Sequence, residues 1–384
     1  MILERASGSP VYQLDLWMAG EAHCRELLHD AALDADIIII EGVMGLFDGD
    51  PSSADLASRF GIPALVLINA GAMAQTFGAI AHGLATFRPG IPLLGVAANH
   101  VATEAHAEML REALPADIRW LGAIPRGPEF ALPNRHLGLV QAGEIADLDG
   151  RINAAAAAID GLPLTVLPPP VSFTSVVVEP TPRALEGVTI GVARDLAFAF
   201  IYAANLDLLR RMGAELTFFS PLEDRAFGSV DALYLPGGYP ELHLEQLAAN
   251  RDMVSAIRAH HKAGKSIYAE CGGMLYLLES LTHKDGTQGE MVGLIPGHGK
   301  MQPRLTALGF QSVGFPAGRL RGHTFHHSTM EVPLKPSILG DPLRPGRTGE
   351  AVFQLGPLTA SYLHLYFPSN AGAAASLFIS SPIR

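Results

Sequence analysis

Short runs of branched apolar residues alternate along this chain with stretches of helical periodicity, and that alternation constrains the fold more than any other feature. The runs are 36–40, PALVLIN (63–69), IPLLGVA (91–97), VTIGVA (188–193), ELTFFS (215–220), ALYLPGG (232–238) and SIYAE (266–270). Each is bounded by turn-forming residues. Helix-like stretches lie between them at 73–87, 103–114, 199–212 and 243–263. Strands that are apolar throughout, separated by helices, predict a parallel sheet covered on both faces. Six prolines crowd residues 162–183 (LPLTVLPPPVSFTSVVVEPTPR). Proline removes a backbone donor, so that stretch reads as a linker between two α/β domains. The AAAAA run at 154–158 reads as helix surface or linker.

Composition narrows the function classes. Of 384 residues, 48% are apolar and 17% charged, which is globular. The net charge is −11 with no basic cluster, which argues against a nucleic-acid-binding face. No apolar run reaches the ~20 residues of a membrane span, and MILERASGSP has no signal-peptide core. Two cysteines do not make a disulfide framework. The expectation is a protein of a reducing cytoplasm, without membrane or nucleic-acid partners.

Two stretches carry candidate chemistry. In IIIIEGVMGLFDGD (37–50), Glu41 and Asp48 follow an apolar run. Ligands of open α/β sheets gather at the carboxyl ends of strands, where such acids can hold magnesium or orient nucleotide phosphates. A solvated loop with a capping aspartate would carry the same letters. In YAECGGMLYLLES (268–280), a strand runs into Cys271, two glycines and an apparent amphipathic helix. This is the layout of a nucleophile elbow, with the helix dipole favouring thiolate. A small buried cysteine is the plainer alternative.

A thiolate needs a base. RGHTFHHS offers His323, His326 and His327, SYLHLYFPS offers His364, and the pair at 260–261 lies on an expected surface helix. Spacing leaves the choice between His326 and His364 open. A zinc site built from these histidines lacks paired-cysteine spacing. In LPGGYPE (235–241), Gly237 and Gly238 follow a strand and expose N–H groups suited to an oxyanion, although a plain turn reads the same.

Together LPGGYPE, AECGGMLYL, RGHTFHHS and SYLHLYF closely resemble the cobyrinic acid a,c-diamide synthases of corrin biosynthesis. EGVMGLFDG, RHLGL (135–139) and GVARDLAFAFIYAANLDLL (191–209) are similar to the same family, in the same order. The resemblance implies a dethiobiotin-synthetase-like, P-loop NTPase-type parallel sheet at 1–161, a linker at 162–186 and a flavodoxin-like class I glutamine amidotransferase domain at 187–384. It makes Cys271 the nucleophile and His364 its base. Gly237, Gly238, Gly272 and His326 then form the oxyanion hole and glutamine pocket. Glu41 would bind Mg2+, and Glu41 and Asp48 would serve ATP or substrate. The implied reaction is ATP- and glutamine-dependent amidation of cobyrinic or hydrogenobyrinic acid at its a and c carboxylates, by a homodimer.

The sequence departs from the pattern twice. Class I glutaminases commonly carry a glutamate two residues after the histidine, where this chain has Tyr366; the cobyrinic acid branch shares this, and it leaves the orienting group for His364 unassigned. No G-x-x-x-x-G-K-(S/T) motif occurs, which sets the expectation that the sequence lacks the family's N-terminal phosphate-loop segment. The alternatives are therefore a glutaminase-competent chain that binds ATP poorly, or a cobyric acid synthase-like amidotransferase. A cysteine hydrolase acting without ATP and a non-catalytic corrinoid binder are the readings from other classes.

Overall fold

The structure is a computed structural model and describes residues 2–133, 140–175 and 180–379. The chain divides into two compact units. The first comprises Met1–Ser9, Leu14–Trp17 and Glu21–Val177; the second comprises Pro10–Gln13, Met18–Gly20 and Val178–Arg384. The RHLGL motif lies outside the described residues.

The first unit carries a parallel sheet in the order β1 (Ala64–Asn69), β2 (Leu93–Val101), β3 (Trp120–Pro125). Phe77, Ala81 and Leu110, from the helices Thr76–Thr86 and Glu104–Glu112, pack with Val96 and Ala98 of β2 in its core. This matches the strand–helix alternation. One strand does not form: residues 36–40 are unpaired chain, and Ile37 and Ile39 are 54% and 89% exposed. A strand exists only when a neighbour satisfies its N–H and C=O groups. Branched apolar residues supply the propensity for one but not the partner. β1, which forms one edge of the sheet, likewise exposes Leu65 and Leu67.

The second unit is built on a seven-stranded sheet. Its parallel part orders β5 (Glu215–Phe219), β4 (Thr189–Ala193), β6 (Ala232–Leu235) and β7 (Ser266–Glu270). β6 and β7 are buried at every residue, because both faces of the sheet are covered. One face receives Leu244, Leu247, Met253, Val254 and Ile257 from the helices Leu244–Ala249 and Arg251–Lys262. The expected single helix at 243–263 is broken at Asn250, whose side chain caps the second helix by accepting from Met253 N at 3.3 Å. On the other face Tyr234, Tyr268, Phe367 and Phe378 pack tilted or edge-on with ring centroids 5.6–6.0 Å apart.

After β7 the chain is rich in strands. β8 (Leu278–Thr282), β9 (Gln288–Glu290), β10 (Ile295–Met301) and β13 (Ser328–Glu331) form one four-stranded sheet. β11 (Ala307–Phe315), β12 (Gly318–His326), β15 (Asp341–Pro342) and β18 (His364–Tyr366) form another. β14 (Ile338–Leu339), β16 (Ala351–Leu355) and β17 (Leu358–Ser361) complete the seven-stranded sheet, β17 lying parallel to β7 with Ser361 opposite Glu270. The site thus sits where β7 and β18 present their ends.

Candidate functional site

Cys271 follows the last residue of β7 and adopts φ 45°, ψ −107°. Positive φ in a residue other than glycine costs of order 1–3 kcal/mol and persists where the surroundings impose it. Here Cys271 N donates to Ser361 O at 2.8 Å, which anchors the turn to β17. Glycine next in sequence is a steric requirement, since a Cβ on Gly272 would stand 2.8 Å from both N and O of Gly238. The following helix spans only Gly272–Tyr276, and Leu278–Thr282 turns into β8 between β10 and β9. The amphipathic helix expected over LYLLES is therefore a single buried turn, because Leu278 already begins β8.

So short a helix carries little dipole to bear on the thiol. Burial dominates instead and pushes the Cys271 thiol up, with Glu241, Glu270 and Glu350 adding to the effect. Burial thus opposes the thiolate that the helix dipole was expected to favour.

His364 opens β18 opposite His323 of β12. The strand backbone is clamped from two sides. Asn205 donates to Leu365 O at 2.8 Å and accepts from Phe367 N at 2.8 Å, while Leu365 N donates to Glu270 at 3.0 Å. The imidazole faces the LPGGYPE turn: a Cβ on Gly237 would lie 2.2 Å from its Cε1. The His323 ring stacks on it at 5.0 Å and 17°. Burial, His323 and His326 hold the His364 pKa well below the ordinary value, which favours the neutral imidazole.

The elbow and the imidazole both meet the 237–238 turn, Gly272 touching Gly238 and His364 touching Gly237. His326 occupies a different position, stacked on Tyr362 at 3.6 Å and bonded to Ser328 O at 2.9 Å and Glu350 at 3.1 Å. His260 and His261 also find partners and are not solvated: His260 is buried against Ser266 O at 3.2 Å, and His261 meets Leu355 O at 3.0 Å.

In the first unit Glu41 and Asp48 are exposed. Glu41 is not at a strand end, because 36–40 forms no strand. Among the described residues no group of three His, Cys, Asp or Glu is arranged to cage a metal. A single exposed carboxylate fits Mg2+ only as an ion shared with phosphate oxygens and water.

Sequence reasoning missed Glu270 and Asn205, which hold β18. The sequence carried a signal for Glu270, a carboxylate ending the SIYAE strand directly before Cys271.

Residues 189–372 match the family of CobB/CobQ-like glutamine amidotransferase domains. The fold and the elbow therefore belong to a glutamine amidotransferase domain on a largely parallel sheet. Over 377 residues the chain is 61% identical to hydrogenobyrinate a,c-diamide synthase of Pseudomonas aeruginosa, covering 98% of this chain and 87% of that one. Identity to the Stutzerimonas stutzeri protein of the same name is 60%, over 98% and 88% of the two chains. Cobyrinate a,c-diamide synthase of Herminiimonas arsenicoxydans is 47% identical, over 98% and 86%. This chain belongs to the hydrogenobyrinate/cobyrinate a,c-diamide synthase family. A crystal structure of a glutamine amidotransferase aligns with 49% of this chain and 94% of its own at 18% identity, with a TM-score of 0.35.

Proposed function

We propose that the protein is a carbon–nitrogen ligase that amidates the a and c carboxylates of a corrin acid, with glutamine as nitrogen donor and ATP as activating substrate. The observation that carries the glutaminase half is the convergence of the Cys271 elbow and the His364 imidazole on the Gly237–Gly238 turn. The division of labour follows the chain, with the synthetase at 1–161, the linker at 162–186 and the glutaminase at 187–384.

The chemistry derives from the resting charges. Nδ1 of His364 lies on the side of Glu270, 3.9 Å from Oε2, which leaves Nε2 for the thiol. As Cys271 Sγ attacks the glutamine side-chain carbonyl, its proton passes to Nε2. Backbone N–H groups of Gly237 and Gly238 hold the oxyanion. His364 returns the proton to the departing nitrogen, and ammonia leaves. Water then cleaves the glutamyl thioester, with His364 again taking the proton. Gly272 leaves room for this turn, and His326, fixed by Glu350, shapes the pocket wall beside Tyr362.

In the synthetase half, ATP phosphorylates a corrin carboxylate and ammonia displaces the phosphate. The leaving group is essential, because hydroxide is not displaced from a carboxylate at a useful rate. Glu41 would hold magnesium on the nucleotide, and the ion would neutralise phosphate charge. Asp48 would help position nucleotide or substrate.

The relatives at 61% and 60% identity are named for hydrogenobyrinate and the one at 47% for cobyrinate, which favours the cobalt-free acid. Among the described residues no helix is long and apolar enough to cross a membrane, and the reading is of a cytoplasmic homodimer. The test supplies ATP, magnesium and glutamine labelled with heavy nitrogen in its side-chain amide, with each corrin acid in turn. Two labelled amides per hydrogenobyrinic acid, formed only with ATP, are expected. Glutamine turnover without corrin amidation would reduce the protein to its glutaminase.

A further inference from the structure

Glu270 is 1% exposed at the end of β7. Tyr234 OH donates to its Oε2 at 3.0 Å, while Tyr268 OH at 2.7 Å and Leu365 N at 3.0 Å both donate to Oε1. A carboxylate offers about four acceptor positions. The one left open is on Oε2, the atom 3.9 Å from His364 Nδ1. The position two residues beyond His364 brings no carboxylate, since Tyr366 is buried there against Tyr202 at 5.4 Å. Among the described residues Glu270 is the acid paired with His364.

We propose that Glu270 is the positioning residue of the glutaminase base: it accepts the Nδ1 proton of His364, aims Nε2 at the Cys271 thiol, and balances the imidazolium formed when that thiol attacks. This rests on the assignment of Cys271 and His364 as nucleophile and base. Hydrogen bonds of this kind are often long before substrate binds. The tyrosine and backbone donors favour the carboxylate against the burial that raises its pKa, so the third member of the site comes from the nucleophile's own strand.

The titrating groups around the pair are His323 and His326 on β12, Tyr202, Tyr234 on β6, Tyr268 on β7, and Cys271, with Glu241 and Glu350 beside the thiol. Burial pushes His323 down to about 4 and Tyr234 and Tyr268 up, while it raises Glu270 to about 7.

The experiment measures glutamine turnover by the full chain, with ATP, magnesium and corrin acid present, from about pH 5 to about pH 9. Wild type is expected to rise through an acidic limb near 7. Glu270→Gln is expected to lower kcat by about 10²-fold, keep the glutamine KM within about threefold and lose that limb. Glu270→Asp, which keeps a carboxylate, retains the limb at reduced kcat. Tyr268→Phe moves the limb to higher pH, because the Tyr268 hydrogen bond holds the Glu270 pKa down. A folded Glu270→Gln enzyme with kcat within about twofold and an unchanged limb overturns the proposal. Should Glu270→Gln fail to fold, an unshifted limb in Tyr268→Phe overturns it equally. A wild-type enzyme that never turns over glutamine removes the Cys271–His364 assignment instead.

Discussion

A Cβ placed on Gly237 would stand 2.2 Å from Cε1 of His364, so the turn after β6 and the start of β18 are in contact. Two segments far apart in sequence and belonging to different sheets thereby meet. Gly237→Ala must push the imidazole or the turn aside. A misplacement of about 1 Å costs about 10²-fold in rate, and that loss is expected in glutamine kcat while the thermal transition of the second unit persists. Steady-state kinetics beside calorimetry checks this.

Glu270 makes stability depend on pH in an unusual direction. Burial raises its pKa from 4.5 to about 7. The unfolded chain releases the proton first, so stability falls as pH rises between those values. The full effect is about 3 kcal/mol. Glu270→Gln removes the slope, and the variant gains on wild type in melting temperature between pH 5 and 8. A constant difference across that range would contradict the burial account.

His260 works in the opposite sense. Burial lowers its pKa from 6.5 to about 4, so the unfolded chain takes up a proton first as the solution is acidified. Stability is held above 6.5 and lost as pH falls toward 4. His260→Gln keeps a donor for Ser266 O and is expected to recover up to about 3 kcal/mol at the acid end. Urea titrations at successive pH values measure it.

Ser52 caps the helix Ser53–Phe60 by a reciprocal box, Ser52 N donating to Asp55 at 2.8 Å and Asp55 N donating to Ser52 Oγ at 3.3 Å. Ser52→Ala is expected to cost about 1 kcal/mol in denaturant unfolding of the first unit. Glutamine turnover should be unaffected.

The parallel strands were legible because being covered on both faces leaves a local mark, an unbroken apolar run between turn residues. The elbow was legible because Cys271, Gly272 and Gly273 adjoin in sequence. Residues 36–40 carried the same mark and formed no strand, since propensity does not supply a hydrogen-bonding neighbour. Leu278 fits a helix or a strand equally in isolation, and its pairing with Ile295 of β10 selects the strand. The partnership of Glu270 with His364 spans two strands, so no spacing reveals it.

The central claim is that Cys271 liberates the nitrogen delivered to the corrin. The most direct measurement is corrin amidation by the Cys271→Ala protein with glutamine and then with ammonium chloride, ATP and magnesium being present in both. The account predicts no product with glutamine and amide formation with ammonium, because the synthetase half needs only ammonia. Amidation from glutamine at the wild-type rate would contradict it.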